Sequence, residues 1–108
     1  MAREDTDTIR EFDTIEPTLS LKLRRTKAAI SDASEVIFTL YGPFGFANQE
    51  RRLSVPGQVN VLEGGGYSAF FTIGPAGRYT VVATGMSAAG HRKSEEWTFV
   101  AEPLGGDR

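Results

Sequence analysis

From Thr18 the chain alternates: Leu19, Leu21 and Leu23 fall on one side and Thr18, Ser20, Lys22 and Arg24 on the other. A period of two marks a half-buried strand, because successive side chains leave an extended backbone on opposite faces. The period returns in residues 35–41, where Val36, Phe38 and Leu40 share one face and Ile37, Thr39 and Tyr41 the other. Residues 58–62, 67–72, 79–84 and 93–100 repeat it, the last with Trp97 and Phe99 on one face, and residues 49–54 add a shorter candidate before Pro56-Gly57. Between these runs stand turn residues: Gly42-Pro43-Phe44-Gly45, Gly64-Gly65-Gly66, Gly74-Pro75-Ala76-Gly77 and the hairpin tip Ala88-Ala89-Gly90-His91. About seven short strands with turn signals every eight to twelve residues predict an all-β, antiparallel β-sandwich. The inward set is then Leu19, Leu21, Leu23, Val36, Phe38, Leu40, Val59, Val61, Tyr67, Ala69, Phe71, Tyr79, Val81, Ala83, Trp97 and Phe99.

The first sixteen residues follow another pattern. Six carboxylates (Glu4, Asp5, Asp7, Glu11, Asp13, Glu16) face two arginines (Arg3, Arg10), a net charge of -4 that leaves +2 for the rest of a chain whose total is -2. Ile9, Phe12 and Ile15 sit three apart, a spacing that lines one helical face, although so short a helix is marginal by itself. Two readings stay open: a solvated arm, extended or partly helical, or an arm that docks its Ile9/Phe12/Ile15 stripe onto a neighbouring subunit. Pro17 ends the segment, since the residue before a proline is pushed out of helical conformation. The expected organisation is an acidic arm over residues 1–16, a sandwich over 17–103 and a frayed tail over 104–108.

Composition narrows the function. The 108 residues contain no cysteine, which excludes a disulfide framework, a thiolate zinc site and a cysteine nucleophile. Near-neutral charge argues against a general nucleic-acid binder. No apolar run approaches a membrane span, and no signal peptide is visible at the start. His91 is the sole histidine and has no partner at ligand spacing. Gly64 to Gly66 loosely fits a dinucleotide fingerprint ending at Ala69, but a strand follows where that fingerprint needs a helix N-terminus. Ser87 lacks the closing glycine of a nucleophile elbow. Asp32 and Glu35 flank a turn, where Asp32 is expected to bind local amides, and no calcium-loop motif is present. No catalytic residue, cofactor or metal is expected.

Two groups of residues invite a partner. Arg51 and Arg52, with the cluster Arg24, Arg25 and Lys27, are the most basic spots. They either protect a sheet edge or pair with an acidic partner such as the arm of an adjacent copy. Phe44 and Phe46 lie in a glycine-spaced loop, where an aromatic ring must be covered, by its own domain or by a partner.

The stretch Pro17-Thr18-Leu19-Ser20-Leu21-Lys22-Leu23, followed by Ile30-Ser31-Asp32-Ala33-Ser34-Glu35-Val36-Ile37-Phe38-Thr39-Leu40, resembles the opening of the immunoglobulin-like domain of phage baseplate and tail proteins, closest in type to the N-terminal domain of upper-baseplate proteins. Residues 66–71 and 76–83, each led by a Gly-x-Tyr or Gly-Tyr corner, are similar to paired strands of immunoglobulin-like folds. Together these stretches cover roughly half the chain. The resemblance implies an immunoglobulin-like sandwich and a structural virion component, assembled in the host cytoplasm, and carries over no catalytic residue. The expected function is therefore non-catalytic: a neck, tail or baseplate protein that docks onto other virion proteins and copies of itself through its arm and loops, in a symmetric multi-copy assembly, without nucleic acid or membrane. The alternative is a carbohydrate- or host-surface-binding module using Tyr41, Phe44, Phe46 or Trp97 as an aromatic platform.

Overall fold

The computed structural model describes residues 9–20, 33–63, 66–87, 90 and 92–103. These form nine strands: β1 (Thr14–Ile15), β2 (Thr18–Ser20), β3 (Ala33–Tyr41), β4 (Gln49–Arg52), β5 (Asn60–Leu62), β6 (Gly66–Ser68), β7 (Phe71–Thr72), β8 (Gly77–Ser87) and β9 (Arg92–Ala101). The described residues are all-β as expected, and among them no helix is long and apolar enough to cross a membrane. Leu21, Leu23, Arg24, Arg25, Lys27, Asp32, Gly64, Gly65, His91, residues 1–8 and residues 104–108 lie outside the described residues.

One four-stranded antiparallel sheet runs in the order β4-β3-β8-β9. A three-stranded sheet runs β2-β6-β5, and β1 pairs with β7, both antiparallel. The last two share one register: Ile15 faces Phe71 and Thr18 faces Ser68, so the same offset continues across the gap. The gap is Glu16-Pro17 against Ala69-Phe70. Proline has no N–H to give to the ladder, although its carbonyl still accepts the Ala69 amide at 3.3 Å. Residues 67–72, expected as one strand, are thus split into β6 and β7 by a proline on the opposite strand.

The core lies between the long sheet and the shorter ones. β3 contributes Val36, Phe38 and Leu40, and β8 contributes Tyr79, Val81 and Ala83, all essentially inaccessible. Leu19, Val59, Tyr67, Ala69 and Phe71 meet them from the other side. This arrangement is compatible with a β-sandwich. The inward set needs two corrections. Val61 is 59% exposed, because β5 is the outermost strand of its sheet. Trp97 and Phe99 pack on the core as expected, half-buried because β9 is likewise outermost. Ile73 and Ala101 are buried as well; each continues the same alternation one step past the expected strand end, Ile73 in the loop after β7 and Ala101 at the end of β9.

Residues 9–16 follow an extended path with one turn, not a helix. The Glu102 amide donates to the Ile9 carbonyl and the Glu11 amide to the Glu102 carbonyl, both at 2.8 Å, in a parallel bridge beside the end of β9. The turn over Arg10–Asp13 is closed by the Asp13 amide on the Arg10 carbonyl (3.1 Å) and by the Arg10 amide on Asp13 Oδ2 (2.8 Å). Its third residue, Phe12, has φ 66°, a conformation that costs a residue with a Cβ roughly 1–2 kcal/mol.

Candidate interaction surface

Three segments meet at one end of the fold: the 10–13 turn, the 42–48 loop and the 73–76 loop. The Phe12 amide donates to the Gly74 carbonyl at 3.0 Å, which ties the first to the third. Phe46 ties the second to the third. Its ring meets Tyr79 edge-on with centroids 5.2 Å apart. It lies so close to Gly42 and Gly74 that a Cβ there would come within 2.4 Å and 3.1 Å of it. A side chain at Gly42 is therefore ruled out unless the ring moves, and one at Gly74 would crowd the ring; together the two glycines cut the slot that Phe46 fills.

Tyr79 organises the same end. Its hydroxyl donates to the Pro75 carbonyl and accepts the Gly74 amide at 3.1 Å, so the 73–76 loop is pinned to the start of β8. On its other side the ring stacks on Phe99 at 5.6 Å. Burial pushes the phenol above its ordinary value; the Gly74 amide pulls the opposite way, and the charge of Glu11 adds to the rise.

With Phe46 inside, Phe44 is left out. The turn that carries it is closed by the Phe46 amide on the Pro43 carbonyl (2.9 Å), with Gly45 at φ 90°. Phe44 sits at the tip with a relative exposure of 108%, more accessible than in an extended chain. Phe12 is 57% exposed on the 10–13 turn, whose backbone bonds the Gly74 carbonyl. The paired phenylalanines of the sequence therefore divide: one is an anchor and the other is presented.

The remaining candidates divide in the same way. Ile9 and Ile15 pack against the core of their own chain while Phe12 points away from it, so the stripe expected on one helical face does not exist as a face. Arg51 and Arg52 are neighbours in β4 and so leave the strand on opposite sides. Arg51 turns to the core. Its guanidinium lies 4.8 Å over the Phe71 ring, and its three nitrogens donate to the Phe70 and Glu50 carbonyls and to Gln49 Oε1 at 3.1–3.2 Å. Arg52 turns outward to Glu50 (3.1 Å) and Glu35 (3.6 Å). Hydrogen bonding and charge from Glu50 push its pKa up, with desolvation opposing and Glu35 adding to the rise. Glu35, weighed above as half of a carboxylate pair, also accepts the Ser54 amide and hydroxyl, at 3.2 and 3.1 Å. These arginines brace β4.

The outer face of the four-stranded sheet carries a shallow depression of about 270 Å³. Its floor is Ile37, Thr39, Val82, Thr84 and Met86, and Glu35 and Arg92 stand at its rim. Tyr41 is 43% exposed at the end of β3, whereas Trp97 faces the core. Residue alternation signals this face, but strand pairing is needed to see Ile37, Val82 and Thr84 side by side. Comparison with protein-family models, curated proteins and solved structures finds no match for this chain.

Proposed function

We propose that this protein is a non-catalytic assembly module on an immunoglobulin-like sandwich, a phage virion component of the neck, tail or baseplate. In this reading it docks onto neighbouring subunits with Phe44 as the apolar anchor and Phe12, on the turn bonded to Gly74, as a second apolar contact. The single observation that carries the docking is Phe44: a large ring, wholly exposed, on a turn whose proline, glycine and half-buried Phe46 fix the point from which its side chain leaves the backbone. Pre-setting a side chain lowers the ordering cost of association, and aromatic anchors dominate interface energies. Phe12 adds a second exposed ring on a strained backbone position, the kind of strain that persists where function requires it.

Two features support the immunoglobulin-like reading. Hairpins β3–β4, β5–β6 and β8–β9 alternate between the sheets, giving the orders β4-β3-β8-β9 and β2-β6-β5. Tyr79, near the start of β8, bonds the backbone four residues upstream, as the tyrosine corner of that fold does. The virion assignment is supported by the sequence resemblance. Its test is mass spectrometry of purified particles from a phage encoding this chain or its Phe44→Ala variant. The parent should be present at fixed stoichiometry and the variant depleted on the order of tenfold or more. A parent chain absent from particles overturns the assignment. Glycan binding that vanishes with Phe44→Ala would favour the carbohydrate-binding alternative instead.

A further inference from the structure

β9 is an outermost strand ten residues long. Among the described residues, the backbone of its outer edge meets a partner only where Ile9 and Glu11 bond Glu102, while the Lys93 side chain reaches the Ser20 carbonyl and Glu95 of its own chain at 2.9 and 3.2 Å, both on the core face. Arg92, Lys93, Ser94 and Glu96 are exposed, and Glu95 is half-exposed. An unpaired edge is a template for another strand, and charged side chains on it reject most candidates. Here the charges have an order. Arg92-Lys93-Ser94-Glu95-Glu96 reads plus, plus, neutral, minus, minus, antisymmetric about Ser94.

We propose that the β9 edge pairs antiparallel with the β9 edge of a second copy of this chain, with the twofold axis at Ser94. Opposed residues in an antiparallel pair point to the same face. In this register Arg92 meets the second copy's Glu96 on the outer face, Lys93 meets the second copy's Glu95 on the core face, and each contact occurs twice. The outer and core faces of both sheets stay aligned, so an eight-stranded sheet runs across the dimer. Neighbouring registers are rejected. Moving the axis by one residue sets Lys93 against Lys93 or Glu95 against Glu95, and moving it to Glu96 sets Glu96 against Glu96. An axis at Trp97 opposes Glu95 to Phe99 and drives the second copy into Glu102, whose backbone is already held. The same charges that repel a generic strand therefore select one partner and one register. An isologous contact of this kind closes on itself and does not propagate into a fibre.

This names a partner for the assembly module and rests on that reading only in part, because it uses a different surface from Phe44. Sedimentation equilibrium of the full chain at low ionic strength should give a dimer that weakens as salt screens the four contacts. Glu95→Lys with Glu96→Lys makes the strand uniformly positive, and Arg92→Glu with Lys93→Glu makes it uniformly negative. Each double variant alone should raise the dissociation constant on the order of tenfold or more. Mixing the two should restore association, and the fourfold swap should dimerise again by itself. Circular dichroism confirms that each variant is folded, and the fourfold swap keeps the test decisive if one double variant is not. A parent chain that stays monomeric at millimolar concentration, a double variant that sediments like the parent, or folded double variants that do not associate when mixed would each overturn the proposal. Phe44→Ala should leave the dimer intact; if it abolishes the dimer, self-association runs through the loop end and the β9 pairing is wrong.

Discussion

The two margins of the four-stranded sheet are built in opposite ways. At β4 the edge is four residues long and every charged side chain on it is spoken for. Arg51 covers Phe71 and reaches the Phe70 carbonyl, while Arg52 binds Glu50 and Glu35. The Gln49 side-chain Nε2 donates to the Thr72 carbonyl at 3.2 Å and the Arg52 backbone amide to Gln58 Oε1 at 3.0 Å. At β9 the edge is more than twice as long, and its charges are aligned along the strand. Lys93 reaches the Ser20 carbonyl (2.9 Å) and Glu95 (3.2 Å), and Arg92 and Glu96 stay exposed. Both strands are rich in charge, so composition does not separate a closed margin from an open one. What separates them is where the partners of each charge lie.

The largest test of this contrast is Phe71→Ala. Phe71 is fully buried and lies directly under Arg51, so truncation opens a cavity and removes the floor of the brace. The expected loss is about 3–5 kcal/mol, read from chemical denaturation. Arg51→Ala comes next. It leaves the Phe70 carbonyl without its side-chain donor and uncovers the ring, for about 1–2 kcal/mol. A loss near zero at Arg51 would mean that the β4 margin is no better secured than β9.

Much of the core was legible in the sequence, since Val36, Phe38, Leu40, Tyr79, Val81 and Ala83 follow an unbroken period of two. The candidate site was legible as residue types and not as roles. Phe44 and Phe46 carry the same chemistry two residues apart, and only the slot between Gly42 and Gly74, on segments far apart in sequence, decides which ring is inside. Arg51 and Arg52 pose the same problem. A strand assignment separates them onto two faces, but it takes Phe71 from β7 to show which face is the core. Ile9, Phe12 and Ile15 misled because a spacing of three suggests a helix, while a turn with Phe12 at positive φ also places the first and last residues inward. Pro17 looked like a boundary. It interrupts one antiparallel pairing that begins before it.

Tyr79→Phe has a smaller effect with a pH signature. It removes the hydroxyl that pins the loop leading into β8 and leaves the Gly74 amide unpaired, which costs about 1–2 kcal/mol at neutral pH. The folded state holds the phenol above its ordinary value of 10.0, mainly by burial. The stability linked to the neutral phenol is therefore fully present below about pH 10 and is lost as pH rises through that value and beyond. The parent and the variant should converge in denaturation midpoint above about pH 10. A gap that stays constant to higher pH would show that Tyr79 does not titrate in the unfolding transition.

The smallest effect comes from a matched pair. Glu50 and Glu96 lie in one cross-strand row, Glu50–Thr39–Val82–Glu96, on the same face at opposite margins. Glu50 holds Arg52 with two contacts, at 3.1 and 3.2 Å, while Glu96 is exposed. On the monomer, Glu50→Ala should lower the thermal midpoint by no more than about 3 °C, because exposed ion pairs contribute little. Glu96→Ala should leave it unchanged, and about 1 M salt should erase the difference by screening. If the two variants lose the same amount at low salt, the outer-face charges of the two margins are equivalent and the contrast rests on Arg51 alone. If Glu96→Ala loses more, Glu96 has a partner within its own chain and is not held free for a second copy.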